Sequence, residues 1–143
     1  MSKKMFSDQE ISDFVDEFRA NGGRPAGKYA GYTLLLLTSG VEADGTPHVS
    51  PLNFYADADR YFVYAVNPGV DEHPRWLHDL RADPQATIEV EGRTLQVTAE
   101  EIHGAKRDEM YARQAARYPQ FTEHQATTTR LIPVVELVPN ANR

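Results

Sequence analysis

Residues 34–52 constrain the fold of this chain more than any other stretch of its sequence. The segment opens with four consecutive leucines, and a short apolar run of this kind is typical of a strand buried on both faces. Gly40, Asp44 and Gly45 then suit a turn, and a second strand begins near His48. The pattern predicts a β-hairpin with a connection of about seven to nine residues. Its small side chains would leave main-chain N–H groups open to a ligand, although a hairpin without a ligand has the same pattern.

An amphipathic helix is predicted near the N-terminus, within residues 1–23. Ser7 and Glu10 have the spacing of a capping box, and Asn21-Gly22-Gly23 ends the helix. Such a helix either caps a sheet or barrel or forms a movable lid over a pocket. The stripe of apolar side chains expected to face the core consists of Ile11, Phe14, Val15 and Phe18.

The rest of the chain predicts further strands and helices in alternation. In the helix that follows residue 70, Pro74 suits the first turn, and Trp76, Leu77 and Leu80 are expected to face inward. Pro133 inside the last strand predicts an edge position or a bulge. The predicted strands cover residues 48–56, 60–66, 86–90, 94–99 and 131–138, and the predicted helical segments cover residues 71–81, 105–118 and 123–128.

These elements predict an α+β fold, in which a small, mainly antiparallel β-barrel is capped by helices. The 143 residues contain no visible linker, repeat or low-complexity tract, so a single domain over residues 1–143 is expected.

Composition excludes several classes of function. A formal net charge of −6 argues against a nucleic-acid partner, and the absence of cysteine excludes disulfide scaffolds and thiolate zinc sites. The five histidines lack the spacing of a metal site, so no metal is expected. No apolar run is long enough to span a bilayer and no secretory leader is visible, so a cytoplasmic protein without an integral membrane segment is expected.

Several motifs together resemble the deazaflavin-dependent nitroreductase family, a branch of the split β-barrel flavin and deazaflavin oxidoreductases. The resemblance covers roughly residues 18–139. It implies a split β-barrel that binds reduced coenzyme F420, an 8-hydroxy-5-deazaflavin, and transfers a hydride to a conjugated enone or lactone or to a nitroaromatic. The motifs are HP-x-W-x-x-x-L-x-A-x-P at residues 73–84, a hairpin ending in Gly92-Arg93, and YP…Q…T-x-R-x-IPVV at residues 118–135.

The sequence departs from this family where the anionic part of the coenzyme is expected. Most members have a basic loop after the first strand and an arginine on the next one, whereas this chain has the acidic loop Gly40-Val41-Glu42-Ala43-Asp44-Gly45 and His48. We therefore expect either that Glu42 and Asp44 point to solvent or that main-chain amides, His48, Lys28 and Arg24 meet the phosphate.

The resemblance implies two groups of site residues. Tyr118 and His124 lie in the segment that matches the substrate wall, and we expect them to orient or protonate the acceptor. Without the resemblance, Tyr118 would be read as a packing residue at a helix end, and Trp76 as a core residue. Those expected to contact the cofactor are Thr38, Ser39, Gly40, Gly45, Pro47, His48, Ser50, Pro51, Asn67, Pro68, Gly69, His73, Trp76 and Leu77.

Two alternatives remain open on sequence alone. The same chemistry could use FMN, whose single phosphate needs fewer cations, or a barrel without a clamp for the coenzyme tail could carry a tetrapyrrole or a fatty acid without turnover. In each case a small molecule is the expected partner, and a monomer or a homodimer is expected.

Overall fold

The computed structural model describes residues 7–67 and 71–140. Its helices are α1 (Asp8–Ala20), α2 (Arg75–Ala82), α3 (Gly104–Arg117) and α4 (Gln120–Ala126), with a short 3-10 turn at Gly27–Tyr29. Its strands are β1 (Leu34–Val41), β2 (Pro47–Asp57), β3 (Arg60–Tyr64), β4 (Gln85–Val90), β5 (Arg93–Ile102) and β6 (Val134–Pro139).

The six strands form a closed antiparallel barrel in the order β1-β2-β3-β6-β5-β4. This confirms the predicted α+β barrel with helices packed around it. β2 is long enough to pair with β1 through its first part and with β3 through its last part, as in the pairs Leu37 with Ser50 and Phe54 with Val63. Long strands shared between two neighbours allow a sheet to curve and close without leaving an exposed edge.

Two sequence predictions about strands and loops were wrong. The β1–β2 connection spans only residues 42–46, shorter than predicted, because β1 continues to Val41 and β2 already begins at Pro47. Pro133 lies before β6, and β6 is paired on both sides, with β3 and β5, so Pro133 marks neither an edge strand nor a bulge. Its carbonyl instead accepts a hydrogen bond from the Ala65 N–H, just beyond β3.

The barrel interior is filled from its own strands and from α2. Leu35 and Leu37 point inward and pack with Trp76 and Leu77 of α2, and all four side chains are buried. Leu36 points outward and packs with Phe14 and Phe18 of α1, which accounts for a strand buried on both faces. The capping box of α1, formed by Ser7 and Glu10, is present as predicted.

Helices α3 and α4 cover a different outer face of the barrel. Phe62 and Tyr64 of β3 pack there with Met110 and Tyr111 of α3 and with Phe121 of α4. Tyr64 donates a hydrogen bond to the carbonyl of Met110, and burial raises its pKa. The outer face therefore has two helical layers, α1 on one side and α3 with α4 on the other.

Antiparallel pairing places six strand ends together at one end of the barrel: the C-terminal ends of β1, β3 and β5 and the N-terminal ends of β2, β4 and β6. Helix α2 connects β3 to β4 and inserts its apolar face at this end. We call it the α2 end. Within the described ranges, no helix has the length and apolar character needed to cross a membrane.

Replacing Leu77 by Ala should lower the free energy of unfolding by about 2–5 kcal/mol, because a fully buried leucine would leave a cavity under α2. Leu131→Ala is the matched control: Leu131 is 63% exposed, whereas Leu77 is 0% exposed. Chemical denaturation of both variants measures the difference. Equal effects would show that α2 does not close the barrel core.

Candidate functional site

The loop between β1 and β2 closes on itself. The Glu42 N–H donates to the Thr46 carbonyl at 2.7 Å, and the Gly45 N–H donates to the Glu42 carbonyl at 2.9 Å. Asp44 accepts hydrogen bonds from the N–H and hydroxyl of Thr46, and these bonds lower the pKa of its carboxyl. The expectation of open main-chain amides is therefore wrong for Glu42 and Gly45, because a loop this short satisfies them internally.

Ser39 and Gly40 contact α2 and help to fix its position against the hairpin. Ser39 is 3% exposed and its hydroxyl donates to Asp79 of α2 at 3.2 Å. Gly40 has φ 62°, and a Cβ there would lie 2.9 Å from the Asp79 carboxyl carbon. Gly40 thus allows helix and hairpin to approach closely. Gly45 has φ 88°, as its place in the turn requires, with open space around it, and its part in cofactor binding stays a prediction.

Glu42 bridges a histidine and an arginine at the α2 end. One carboxylate oxygen lies 2.6 Å from Nδ1 of His48, and the other accepts a hydrogen bond from Arg75 at 2.6 Å. These two contacts, the one with His48 first, lower the pKa of Glu42. Nε2 of His48 in turn lies 3.2 Å from the Ser50 hydroxyl. Glu42 therefore does not simply point to solvent.

Arg75 is a site residue that sequence reasoning missed. It occupies the variable position of the HP-x-W motif, and only the folded chain shows that it meets the hairpin, through Glu42 and the Val41 carbonyl. Of the two cations expected beside the phosphate, Arg24 lies elsewhere. Arg24 donates to the Glu91 carbonyl in the β4–β5 turn, at the opposite end of the barrel, and the Lys28 ammonium lies over the ring of Tyr29.

A second cluster lies where the chain leaves β3. Arg130 donates to Nδ1 of His73 at 3.0 Å and to the Ala65 carbonyl at 2.9 Å. Because an arginine can only donate, Nδ1 of His73 accepts this hydrogen bond. The proton of the neutral imidazole therefore lies on Nε2. Burial and the charge of Arg130 lower the pKa of His73, which keeps it neutral at pH 7.

Asp71 ties the same region to the segment before β6. Its carboxylate accepts hydrogen bonds from the hydroxyls of Thr128 and Thr129, and these bonds lower its pKa to about 2. Asn67 donates to the Glu72 carbonyl at 3.1 Å. The predicted contacts Pro68 and Gly69 lie outside the described residues.

The remaining predicted cofactor contacts have mixed environments. Trp76 and Leu77 are 4% and 0% exposed and belong to the barrel core, so packing is their observed role, and a part in cofactor binding stays a prediction. Thr38 is half-buried in β1 between β2 and β4, and Pro47 is exposed at the start of β2.

The outer face of β2 carries Pro51 and Asn53. Val49 of this face packs with α1, and Tyr55 packs with the α3 and α4 cluster, so Pro51 and Asn53 lie between the two helical layers. The carboxamide oxygen of Asn53 is buried and has no hydrogen-bond partner among the described residues. A buried acceptor without a partner costs free energy unless a ligand or an ordered water supplies a donor. Asn53 was not predicted as a site residue.

Tyr118 lies beside the start of β1. Its hydroxyl accepts a hydrogen bond from the Thr33 N–H at 3.1 Å and lies 2.9 Å from the Thr33 hydroxyl. The rings of Tyr32 and Phe121 flank it, with centroids at 6.3 and 6.4 Å. His124 packs edge-on against Phe121 at 5.2 Å, and burial lowers its pKa. The two predicted catalytic residues thus share one aromatic cluster.

These polar features lie on two faces of β2. Between Arg75 and His48, where the Glu42 carboxylate already lies, an anionic group is favoured. On the outer face, the unpaired oxygen of Asn53 is an acceptor for an N–H donor. Among the described residues no group of three potential ligands could hold a metal ion.

Comparison with known proteins points to one family. Residues 10–139 match the family described as F420H(2)-dependent quinone reductase. An F420H(2)-dependent quinone reductase of Mycobacterium tuberculosis (strain H37Rv) is 33% identical over 127 residues, which cover 84% of this chain and 83% of the relative.

Solved structures share the fold. An F420-H2 dependent reductase has a TM-score of 0.66 at 27% identity, and the match covers 73% of this chain and 93% of that chain. A chain described as a domain-swapped dimer has a TM-score of 0.69 at 23% identity, covering 90% of this chain and 94% of the other.

Replacing Asp71 by Asn should destabilise the protein at neutral pH and remove part of its acid sensitivity. The folded-state pKa of about 2 lies below the ordinary value of 3.8, so the stabilisation is present above 3.8 and is lost as the pH falls through about 2. Denaturation of both proteins at a series of pH values should show their difference shrinking with acid. Asp16→Asn, an exposed change on α1, is the control. A difference that does not change with pH would contradict the role of the Asp71 charge.

Proposed function

The chain belongs to the F420H(2)-dependent quinone reductase family, and from this premise we propose that it transfers a hydride from reduced coenzyme F420 to a quinone or another electron-poor acceptor. The match over residues 10–139 carries the assignment. It agrees with the deazaflavin oxidoreductase resemblance of the motifs. Coenzyme F420 is therefore the cofactor, and FMN is retained only as the comparison ligand in the test below.

The coenzyme would be held around β2, since Pro51 and Asn53 lie on the outer face of this strand whereas His48 and Ser50 lie on the other face. Asn53 would accept a hydrogen bond from a ring N–H, and Pro51 would lie against the ring. His48 and Ser50 would meet the phosphate at the α2 end. The neutral His73, with its proton on Nε2, would supply a further donor near Asn67. When bound, the reduced deazaflavin supplies the hydride, and the protein supplies orientation and exclusion of water.

The acceptor needs a proton as well as the hydride. Reduction of a quinone to a hydroquinone takes two electrons and two protons, and one hydride brings both electrons and one proton. The second proton comes from a side chain or from water. If the Thr33 hydroxyl donates to Tyr118, the phenol oxygen accepts twice and its own O–H is free to face the acceptor. Tyr118 is our first choice as donor, and His124 is the second.

We further propose that the protein works in the cytoplasm, as a monomer or homodimer, on a small-molecule acceptor. A relative of this fold is described as a domain-swapped dimer, which makes a dimer a specific alternative to test by light scattering.

Purified protein should oxidise F420H2 in the presence of a quinone, and it should do so much faster than with reduced FMN at equal concentration. The measurement is the recovery of the visible absorption of oxidised coenzyme, with quinone, enone and nitroaromatic acceptors compared in parallel. Turnover with reduced FMN but not with F420H2 would overturn the proposal.

Tyr118→Phe should lower turnover of the acceptor by about 10²-fold, the typical contribution of a general acid, and change the dissociation constant of oxidised F420 little. Tyr32→Phe is the matched control, because this neighbouring phenol is 49% exposed and its ring contacts Tyr118. Steady-state rates and a coenzyme fluorescence titration separate the two effects. Full activity in Tyr118→Phe would show that water delivers the proton and that Tyr118 only packs on Thr33.

A further inference from the structure

The Glu42 carboxylate is held as a bound anion would be. Each of its oxygens contacts a different partner, His48 on one side and Arg75 on the other, both at 2.6 Å. The two partners come from different elements, β2 and α2, so the site is built by the fold. Paired contacts from an arginine and a histidine are a common way to bind a phosphate or carboxylate group.

The Glu42 side chain can leave without unfolding the loop. Main-chain hydrogen bonds between Glu42, Gly45 and Thr46 fix the loop, and Asp44 caps the turn, so none of these bonds uses the Glu42 carboxylate. The side chains of Glu42 and Arg75 are 42% and 44% exposed. Exposed ion pairs contribute little stability, so exchanging this carboxylate for another anion is cheap.

Glu42 also adds a negative charge to the site. The charged and titratable groups that face it are Arg75 and His48, and Asp79 lies 3.7 Å from Arg75. Asp44 faces its own turn. With Glu42 in place, two carboxylates lie beside Arg75, those of Glu42 and Asp79; with Glu42 turned away only Asp79 remains, and Arg75 and His48 face an incoming anion.

We propose that Arg75 and His48 form an anion-binding site for the phosphate of the coenzyme, and that Glu42 occupies this site in the ligand-free protein and vacates it on binding. The inference rests on the proposed function for the identity of the ligand. Arg75 then acts as the principal cation of the site, and Glu42 lowers affinity as an internal competitor. Glu42 thereby sets how much coenzyme must be present before the enzyme is loaded.

The decisive comparison is between Glu42→Gln and Asp44→Asn. Both variants remove one negative charge from the same loop, but only Glu42 contacts Arg75 and His48, and an asparagine at position 44 can still accept from Thr46. Glu42→Gln should tighten binding of oxidised F420 by roughly three- to thirty-fold at low ionic strength, and less at high salt. Asp44→Asn should change it by less than about twofold, because its charge lies outside the site.

Two further titrations locate the effect. The 8-hydroxy-5-deazaflavin ribityl fragment, which lacks the phosphate, should bind wild type and Glu42→Gln equally. Adding Arg75→Gln to Glu42→Gln should remove the gain for F420. Equal tightening in Glu42→Gln and Asp44→Asn, no tightening in Glu42→Gln, or the same gain for the fragment would each overturn the inference.

A pyrophosphate titration, followed through the His48 imidazole resonances, separates this inference from the proposed function. If neither the wild type nor the variants bind F420, the proposed function fails. The dissociation constants for pyrophosphate still test the anion site in that case. Tighter pyrophosphate binding by Glu42→Gln than by Asp44→Asn supports the site, and equal binding overturns it. If F420 binds and is turned over but Glu42→Gln behaves like Asp44→Asn, only the inference fails.

Discussion

The insertion of α2 into one end of the barrel is the interaction on which the rest of this structure depends. Trp76 and Leu77 bury their side chains among the strands, and this fixes the position of the whole helix. The polar face of α2 then has little freedom: Asp79 meets Ser39 against Gly40, and Arg75 reaches the hairpin loop. The same helix closes the barrel core and places Asp79 and Arg75. The candidate site at the α2 end therefore follows from the packing of the core.

Local patterns predicted most of the fold. Two patterns, the leucine run beginning at Leu34 and the apolar stripe of α1, show which faces of an element are buried. They can be recognised from the sequence because burial follows the periodicity of apolar residues along the chain. The capping box at Ser7 is equally local. Pro133 was misread because its meaning depends on where β6 begins and on which strands pair with it, and neither property is visible in neighbouring residues.

The candidate site was predicted less completely, because its key contacts join residues far apart in sequence. His48 is identified from its place beside the loop, but Arg75, which contacts the same Glu42 carboxylate, lies on another element and stands at a variable motif position. Asn53 could not be identified from the sequence. Only the folded chain shows that the oxygen of this asparagine is buried and has no partner among the described residues. Arg130 was read as part of a motif, and only the fold shows that it sets the tautomer of His73.

The length of β2 separates the Glu42 contacts from the Thr33–Tyr118 pair. His48 and Asn53 are separated by a run of strand that rises about 3.3 Å per residue, or roughly 16 Å in all. The contacts of Glu42 with His48 and Arg75 therefore lie at one end of this span, and the Thr33–Tyr118 pair lies near the other, where the Phe54 N–H bonds to the Thr33 carbonyl. At physiological salt a charge this far away is screened by more than one Debye length. The charge of the acidic loop therefore acts on groups at the α2 end, and the electrostatics of the Thr33–Tyr118 pair stay unchanged.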